Sequence, residues 1–291
     1  MKRITSEEFT ALSRFIYEKS GIYLDSSKTY LVETRLQRLL KETGCDSFDA
    51  LYRKARSDAA GVMEDQLIDA ICTRETLFFR DNSPFELLRR KILPDLIARK
   101  TATDSLSPAR LNIWSAGCST GQEIYSIAIV IRECLPNPNR FQIRLMGTDI
   151  SDTALAGARS GEYSQVTVER GLPADKLNRY FTRNGGAWRV RDDIRRMCAF
   201  RKHNLMAPFD GLGRFDIVFC RNVAIYFKPE DKEKLFDKLA NALEPGGCLI
   251  IGSSESLSGM KSRFRTVAES NMIYYQVMPR AVSMAARHPA G

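Results

Sequence analysis

A short apolar segment that runs into a glycine loop and then a helical pattern constrains this chain more than any other feature. Residues 111–123 read LNIWSAGCSTGQE, with Gly117 ending the apolar run and a periodic pattern starting after Gly121. Residues 144–149 (RLMGTD) form a second short run that ends in an acid. A strand, a glycine loop, a helix and an acid-tipped strand form the first half of a nucleotide-binding α/β unit.

The spacing within this loop argues against two common phosphate sites. Three residues separate Gly117 from Gly121, which does not match G-x-G-x-x-G, and no Lys-Ser/Thr pair of a P-loop follows. A nucleoside held without a pyrophosphate fits better, which makes S-adenosylmethionine the leading candidate. Asp149 at the second strand tip is placed to accept the ribose hydroxyls. For the loop alone, a tight turn without a ligand is the alternative.

The composition is that of a soluble globular chain with an uneven charge distribution. The 291 residues are 44% hydrophobic and carry a formal net charge of +9. Residues 159–203 alone hold eleven Lys/Arg against five Asp/Glu, which indicates an anionic partner: nucleic acid, lipid headgroups or an acidic protein surface. Seven scattered cysteines, two histidines and no C-x-x-C argue against a disulfide framework or a metal site, so a reducing cytoplasm is expected.

The first third of the chain predicts helices only. The periodic segments are 6–20, 27–43, 47–57 and 62–72, and glycines follow the first two. A further helix is predicted over 83–100, with Ser83 as N-cap and Pro84 in its first turn. The polar residues 101–109 are expected to form a linker or loop.

From Leu111 onward, strands alternate with helices, which predicts a doubly wound, mostly parallel sheet. The predicted strands are 111–116, 143–148, 215–220 and 248–252, and the predicted helices are 121–134, 151–158 and 229–243, the last closed by Pro245-Gly246-Gly247. Two runs, 264–268 and 273–277, predict an antiparallel hairpin at the sheet edge.

The stretch 159–205 is longer than one crossover needs, which predicts an inserted β element. Asn184-Gly185-Gly186 is a hairpin signal, flanked by the short runs 187–191 and 197–201. At the other end of the chain, residues 279–291 are expected to be disordered.

Two further segments carry candidate chemistry. Residues 215–227 (FDIVFCRNVAIYF) place Arg221-Asn222 at the carboxyl edge of the sheet, where ligands of open α/β sheets bind. This segment lacks the Pro-Pro of DNA amino-methyltransferases, which argues against base methylation. Residues 74–80 (RETLFFR) pair two aromatics with flanking arginines, a pattern for which helix packing is the default interpretation.

Five motifs follow one another in a fixed order along the chain. They are Thr76-x-Phe78-Phe79-Arg80, Ser115-Ala116-Gly117-Cys118-Ser119-Thr120-Gly121-x-Glu123, Gly147-Thr148-Asp149-Ile150-Ser151, His203-Asn204-Leu205 and Asp216-x-x-x-Cys220-Arg221-Asn222-Val223-x-Ile225-Tyr226-Phe227. In this order they resemble the CheR family, the chemotaxis-receptor glutamate O-methyltransferases, over about residues 5–278. The resemblance implies a Rossmann-like class I methyltransferase fold with an antiparallel edge hairpin, a small inserted β subdomain and an N-terminal all-α domain.

The resemblance also implies roles for individual residues. Arg80 and Tyr226 match catalytic positions near the transferred methyl group. Glu123 matches the acid that meets the methionine amino group, and Asp149 the acid that binds the ribose. The implied cofactor-binding set is Arg74, Thr76, Arg80, Gly117, Glu123, Asp149, Asn204, Leu205, Arg221 and Asn222, with S-adenosyl-L-methionine as cofactor, S-adenosyl-L-homocysteine as product and no metal.

The implied partners are the cytoplasmic methylation helices of chemotaxis receptors. The basic helix face that would dock them comprises Lys28, Arg35, Arg38 and Lys41. The expected organisation is a helical domain (1–75), a connecting helix and linker (76–110), a methyltransferase domain (111–278, with its insert at about 160–203) and the tail. A cytoplasmic monomer that neither binds nucleic acid nor inserts into the membrane is expected.

Two departures from the family pattern qualify this hypothesis. Arg74 stands where the family commonly has Asn, which puts one cofactor contact in question. The Asn184–Trp188 turn looks shorter than in members that clamp a receptor C-terminal pentapeptide, so pentapeptide-independent action is expected. The alternatives left open are a methyltransferase acting on RNA or on a protein nitrogen, and a non-catalytic module that binds the cofactor and docks receptors.

Overall fold

The computed structural model describes residues 2–102, 108–135, 140–260, 263–269 and 272–278. The predicted tail 279–291 and most of the predicted linker lie outside the described residues. Within the described ranges, no helix combines the length and the apolar character that a membrane span requires.

Four helices make up the N-terminal region, as predicted. They are α1 (Ser6–Ser20), α2 (Thr29–Thr43), α3 (Phe48–Ser57) and α4 (Val62–Ile71). Thr5 and Glu8 cap α1 reciprocally, and Gly21 and Gly44 end α1 and α2 in the left-handed conformation. A short 3₁₀ turn, Ser26–Lys28, precedes α2. The apolar face of α2 is buried against the other helices of this region.

The next helix is interrupted where the periodicity alone predicts a continuous one. It consists of α5 (Ser83–Leu87), a π-helical turn (Leu88–Ile92) and α6 (Leu93–Thr101). The predicted N-cap is wrong: Asn82 holds that position, and Ser83 is already helical. Asn82 has a φ of 42°, outside the extended conformation usual for a capping residue, and its side chain makes no capping hydrogen bond.

A seven-stranded sheet in the order β6-β2-β1-β7-β8-β10-β9 forms the centre of the molecule. Its strands are β1 (Ala109–Ala116), β2 (Phe141–Asp149), β6 (Cys198–Lys202), β7 (Phe215–Cys220), β8 (Leu243–Ile251), β9 (Phe264–Glu269) and β10 (Met272–Val277). Its helices are α7 (Gln122–Cys134), α8 (Asp152–Ser160) and α12 (Pro229–Ala242). The sheet is parallel from β6 to β8, and β10 and β9 form the predicted antiparallel edge hairpin.

One strand boundary in this sheet differs from the prediction. Pro245-Gly246-Gly247 does not form a loop after α12 but lies within β8. The register between β7 and β8 is irregular there, and a Cβ on Gly247 would stand 2.8 Å from the Glu244 carbonyl oxygen. Gly247 therefore allows the backbone of β8 to pass close to neighbouring carbonyl oxygens, and it does not mark a chain reversal.

The insert is a separate three-stranded antiparallel sheet in the order β3-β5-β4. It contains β3 (Glu162–Ser164), α9 (Gln165–Glu169), α10 (Ala174–Tyr180), β4 (Phe181–Asn184), β5 (Ala187–Val190) and α11 (Asp192–Arg195). Gly185-Gly186 connect β4 to β5, as predicted. The run 197–201 is not part of the insert, because β6 pairs with β2 in parallel and extends the main sheet.

The carboxyl ends of β1, β2 and β7 meet the helical region at one edge of the sheet. The Asn204 amide nitrogen donates to the Lys19 carbonyl at 2.7 Å, and the Tyr23 backbone amide donates to the Tyr226 carbonyl at 2.8 Å. The Asp69 carboxylate in α4 accepts hydrogen bonds from the hydroxyls of Ser151 and Thr153 at the start of α8. These contacts place the helical region over the edge where a ligand of an α/β sheet binds.

Candidate functional site

A cavity of about 460 Å³ lies between this edge and the helical region, within the usual size range for small-molecule sites. Its lining brings together every residue of the predicted cofactor-binding and catalytic sets: Arg74, Thr76, Arg80, Gly117, Glu123, Asp149, Asn204, Leu205, Arg221, Asn222 and Tyr226. Of the predicted docking residues, Lys28 and Arg35 also line it, whereas Arg38 and Lys41 do not.

The glycine loop forms one wall of the cavity. Gly117 has a φ of 80°, and a Cβ there would stand 2.4 Å from Val223 Cγ2, so only glycine fits this conformation and packing. The backbone amides of Gly117 and Cys118 both donate to the Thr148 carbonyl at 2.8 Å, which fixes the loop on β2. The loop therefore presents backbone, not side chain, to the adjoining Val223.

Asp149 lies at the tip of β2 and is bound to the loop. Its carboxylate accepts the backbone amide of Ser119 at 2.8 Å and that of Ser151 at 3.0 Å. Burial raises the pKa of the Asp149 carboxyl. The two backbone amides lower it, but burial has the larger effect, so the net change is upward. Each carboxylate oxygen can accept more than one hydrogen bond, so Asp149 retains capacity for a diol ligand.

Glu123, Arg221 and Asp81 form a charged triad, of which Glu123 and Arg221 line the cavity. Arg221 Nη1 contacts Glu123 Oε2 at 3.0 Å, and Arg221 Nη2 contacts Asp81 Oδ2 at 2.8 Å. The Arg221 side chain is only 2% exposed, and Ser115 Oγ donates to the other Glu123 oxygen at 2.8 Å. Two carboxylates thus face one guanidinium in a largely buried place, and a cationic ligand group would balance the remaining negative charge.

The same arginine holds the turn that carries Arg80. Arg221 Nη2 also donates to the Arg80 carbonyl oxygen at 2.8 Å, and the Phe79 amide donates to Ser126 Oγ at 3.0 Å. Phe79, Asp81 and Asn82 have φ angles of 49°, 65° and 42°, a conformation that non-glycine residues adopt only when their surroundings require it. The Arg80 guanidinium is half-buried and donates to the Glu75 carbonyl at 3.3 Å.

In residues 74–80, only the two aromatic side chains serve for packing, which was the default interpretation of this segment. Phe78 and Phe79 are buried, and the Phe78 ring makes edge contacts with Tyr163 and Phe181 of the insert, at centroid distances of 4.9 and 5.4 Å. Aromatic packing therefore anchors the segment to the insert, while Arg80 faces the cavity.

Several predicted cofactor residues are fixed by structural hydrogen bonds. The Asn204 side chain donates to Lys19 and accepts from the Met206 amide at 2.9 Å. Asn222 has a φ of 58°, and its backbone amide donates to Glu255 Oε2 at 2.7 Å. The carbonyl oxygen of the exposed Arg74 accepts a hydrogen bond from Ser119 Oγ at 3.2 Å. The first two contacts orient the Asn204 side chain, and the others fix the backbone of Asn222 and Arg74 beside the cavity.

The predicted docking face is divided between two environments. The Arg35 guanidinium donates to the Ile71 carbonyl and to Thr73 Oγ1, which lies 3.1 Å away, at the cavity wall. Arg38 is exposed and pairs with Glu42 one turn along α2. Lys28 and Lys41 are exposed. A face running from the cavity mouth along α2 is present, but Arg35 is already engaged within the protein.

The structure adds two residues that were not predicted as site residues: His203 in the cavity lining, and Asp81, which contacts the lining residue Arg221. His203 lines the cavity, and burial, together with the nearby Arg201 and Lys238, lowers its pKa. His203 begins the motif His203-Asn204-Leu205, so the sequence already indicated its position near the site. Asp81 contacts Arg221 only through a tertiary turn and had no sequence signal beyond its neighbour Arg80. In the described residues, no cluster of three or more potential metal ligands occurs.

Comparisons with known proteins match both parts of the chain. The family described as "CheR methyltransferase, all-alpha domain" matches residues 7–72, and "CheR methyltransferase, SAM binding domain" matches residues 74–273. Chemotaxis protein methyltransferase Cher2 of Pseudomonas putida is 38% identical over 274 residues, covering 92% of this chain and 97% of that protein. Chemotaxis protein methyltransferase 1 of Pseudomonas aeruginosa has the same identity and coverage, and a Vibrio parahaemolyticus relative is 38% identical over 94% of this chain and 98% of its own length.

Among solved structures, a magnesium protoporphyrin IX methyltransferase from Synechocystis covers 84% of this chain and 95% of its own, at 15% identity and a TM-score of 0.31, too loose a likeness to argue from. The two family matches span most of the chain, and they agree with the helical region and the mostly parallel sheet. The chain belongs to the CheR methyltransferase family, the protein-glutamate O-methyltransferases of chemotaxis that use S-adenosylmethionine.

Proposed function

We propose that this enzyme transfers a methyl group from S-adenosylmethionine to glutamate side-chain carboxylates on the cytoplasmic helices of chemotaxis receptors. It acts in the cytoplasm as a monomer, and nucleic acid is not its substrate. The observation that supports this most strongly is the convergence of Glu123, Asp149 and Arg80 on one cavity beside the Gly117 loop. Two acids suit the cofactor's amine and ribose, and the arginine suits a carboxylate substrate.

The residues present fit the cofactor. The buried triad leaves a negative charge at Glu123 for the methionine ammonium, and Asp149 has free acceptor capacity for the ribose hydroxyls. Gly117, Asn204, Leu205 and Asn222 would surround the remaining nucleoside surface. The bound cofactor supplies a methyl group on a positively charged sulfur, which makes that methyl group reactive toward a nucleophile.

The protein's own contribution is alignment and exclusion of water. A glutamate carboxylate is ionised at neutral pH, so no general base is needed. Burial and the nearby Arg201 and Lys238 lower the pKa of the His203 imidazole, and its ring packs against Phe209 at a centroid distance of 5.5 Å. Arg80 orients the substrate carboxylate with a charge-assisted hydrogen bond, and Tyr226 bounds the space beside it.

The role of Arg80 is tested by Arg80→Ala. We expect turnover to fall by about 100-fold, the usual cost of removing one preorganised electrostatic contact, while S-adenosylhomocysteine affinity changes little. Methyl transfer and calorimetry on the same preparation separate the two quantities. Equal losses in turnover and affinity would assign Arg80 to cofactor binding alone.

We further propose that the enzyme works without a receptor pentapeptide tether. The support is the two-residue loop, Gly185-Gly186, which closes the β4–β5 hairpin and leaves little chain to fold over a bound peptide. Calorimetry with a receptor C-terminal pentapeptide tests this proposal, and we expect no binding at micromolar concentrations. Affinity in the micromolar range or tighter contradicts it.

The function is tested with methyl-labelled cofactor and a panel of purified receptor cytoplasmic fragments. A glutamyl methyl ester releases volatile methanol at high pH, whereas N-methyl groups do not. We expect base-labile label on at least one fragment. Base-stable label, or label on RNA, would favour the nitrogen or RNA methyltransferase. Binding of S-adenosylhomocysteine without transfer to any fragment would favour the non-catalytic docking module.

A further inference from the structure

A second concave site lies away from the methyl-transfer cavity, between the insert and the main sheet. We name it the arginine cleft. Its volume is about 510 Å³, and its lining residues are Tyr125, Arg159, Arg189, Asp192, Arg195, Arg196, Cys198 and Phe200. Four arginines from α8, β5, α11 and the residue after α11 face a single aspartate, so the lining carries a net charge of +3.

The fold neutralises little of this charge. Arg195 Nη1 pairs with Asp192 Oδ1 at 2.8 Å, and Arg189 Nη2 reaches the same oxygen at 4.0 Å. Among the described residues, no ion pair involves Arg159 or Arg196. The nearest other acid along the chain, Asp193, faces Arg191 outside the cleft at 3.8 Å.

Unused hydrogen-bond donors accompany the excess charge. The Nε atoms of Arg189 and Arg195 are buried without a hydrogen-bond partner in the described structure. Arg159 Nη2 donates to the Phe200 carbonyl oxygen at 3.4 Å, and Arg195 Nη2 donates to the Arg159 carbonyl oxygen at 3.2 Å. Clustered guanidinium groups repel one another, and buried donors without acceptors are costly, so this arrangement is one that a polyanionic ligand would stabilise.

The geometry points to a binding site for a small phosphate-bearing anion in the arginine cleft. Planar guanidinium groups recognise phosphate oxygens bidentately, and the concave shape suits a compact ligand rather than an extended nucleic acid. The adjoining Phe200 ring offers an apolar surface next to the charges. The cleft contains four of the eleven Lys/Arg of residues 159–203, none of which lines the methyl-transfer cavity.

The probes are inorganic phosphate, pyrophosphate and ADP, titrated by calorimetry into the full-length enzyme saturated with S-adenosylhomocysteine. Saturation prevents the probes from reporting on the methyl-transfer cavity. We expect saturable binding of at least one probe with a Kd below about 1 mM. Tighter binding of ADP identifies a nucleotide ligand, and tighter binding of pyrophosphate or phosphate identifies a free phosphate ligand; both results support the site.

Arg196→Gln is the decisive variant because its side chain makes no ion pair within the described structure, so it should fold normally. We expect its Kd for the tightest probe to rise about tenfold, the effect of one charge-assisted contact. Arg191→Gln, on the same insert but outside the cleft, is the matched control and should leave the Kd unchanged. Absence of saturable binding, equal weakening in both variants, or binding of a poly-glutamate peptide alone would overturn the proposal.

Discussion

At the scale of single residues, Arg221 connects the two halves of the site. It reaches Glu123 on one side, and the Arg80 carbonyl and Asp81 on the other. The family resemblance implied that these segments converge on one site. It did not predict this contact pattern, because the positions of Asp81 and the Arg80 carbonyl depend on a turn with three left-handed non-glycine residues. Such strain is set by tertiary packing and has no local sequence signature.

We expect Asp81→Ala to reduce turnover by at least about tenfold, because Arg221 loses a charge-assisted partner and the Arg80 turn loosens. Asp81→Asn should retain much of the activity, since asparagine accepts hydrogen bonds and tolerates the left-handed conformation. Methylation rates and S-adenosylhomocysteine affinity check this, and the affinity should change by less than about threefold. Equal damage by the two variants, or a loss confined to affinity, contradicts a positioning role.

At the scale of elements, periodicity predicted which segments are helices and strands, but not how neighbours share them. The run 197–201 has the composition of a strand whether it belongs to the insert, as predicted, or to the main sheet. Only its pairing with β2 shows that it extends the main sheet. The π-helical turn at Leu88–Ile92 has no signal in hydrophobic spacing, because the buried residues Leu88, Ile92 and Leu96 keep the four-residue spacing of a continuous α-helix. Pairing partners and helix irregularities are tertiary properties.

The Gly117 loop provides the prediction at this scale. Gly117→Ala combines a left-handed backbone with a Cβ that would overlap Val223. Gly44→Ala has a similar φ of 67° and nothing within 4 Å, so it isolates the backbone cost of about 1 kcal/mol. We expect Gly117→Ala to lower the free energy of unfolding by about 2 kcal/mol more than Gly44→Ala.

Denaturant unfolding measures both variants, and Val223→Ala in the Gly117→Ala background should recover most of the difference. If Gly117→Ala and Gly44→Ala are equally destabilised, or if Val223→Ala restores nothing, the close packing of the loop against Val223 does not determine the glycine.

At the scale of the whole molecule, the helical region is held over the sheet by polar contacts. Tyr17 donates its hydroxyl to Asp231 Oδ2 at 2.5 Å, and Lys228 lies 4.0 Å from the centroid of the Tyr17 ring. The hydrogen bond that the Tyr17 hydroxyl donates to Asp231 is the largest cause of the rise in the Tyr17 pKa to about 12, and the same bond lowers the pKa of Asp231. The family resemblance predicted both regions, but hydrophobic periodicity and motifs did not predict that Tyr17 and Asp231 pair between them.

We expect Tyr17→Phe to lower the free energy of unfolding by about 1.5 kcal/mol at neutral pH, because the Asp231 carboxylate loses a donor. Because folding lowers the pKa of the Asp231 carboxyl, this group stabilises the folded state at any pH above its unfolded-state pKa. That stabilisation is lost as the pH falls through the folded-state pKa. The difference from wild type should therefore shrink on acidification. Tyr30→Phe, at an exposed tyrosine, is the control and should have little effect. A pH-independent difference would exclude this linkage.

We propose that the group methylated in the cavity is a carboxylate of a receptor helix, and peptide mapping of the product tests this proposal. The wild-type enzyme is incubated with isotopically labelled cofactor and a receptor cytoplasmic fragment, and the labelled residue is located by mass spectrometry. The expected result is a base-labile label on a glutamate side chain. A label on a nitrogen, or no transferred label on a fragment that binds the enzyme, would contradict it.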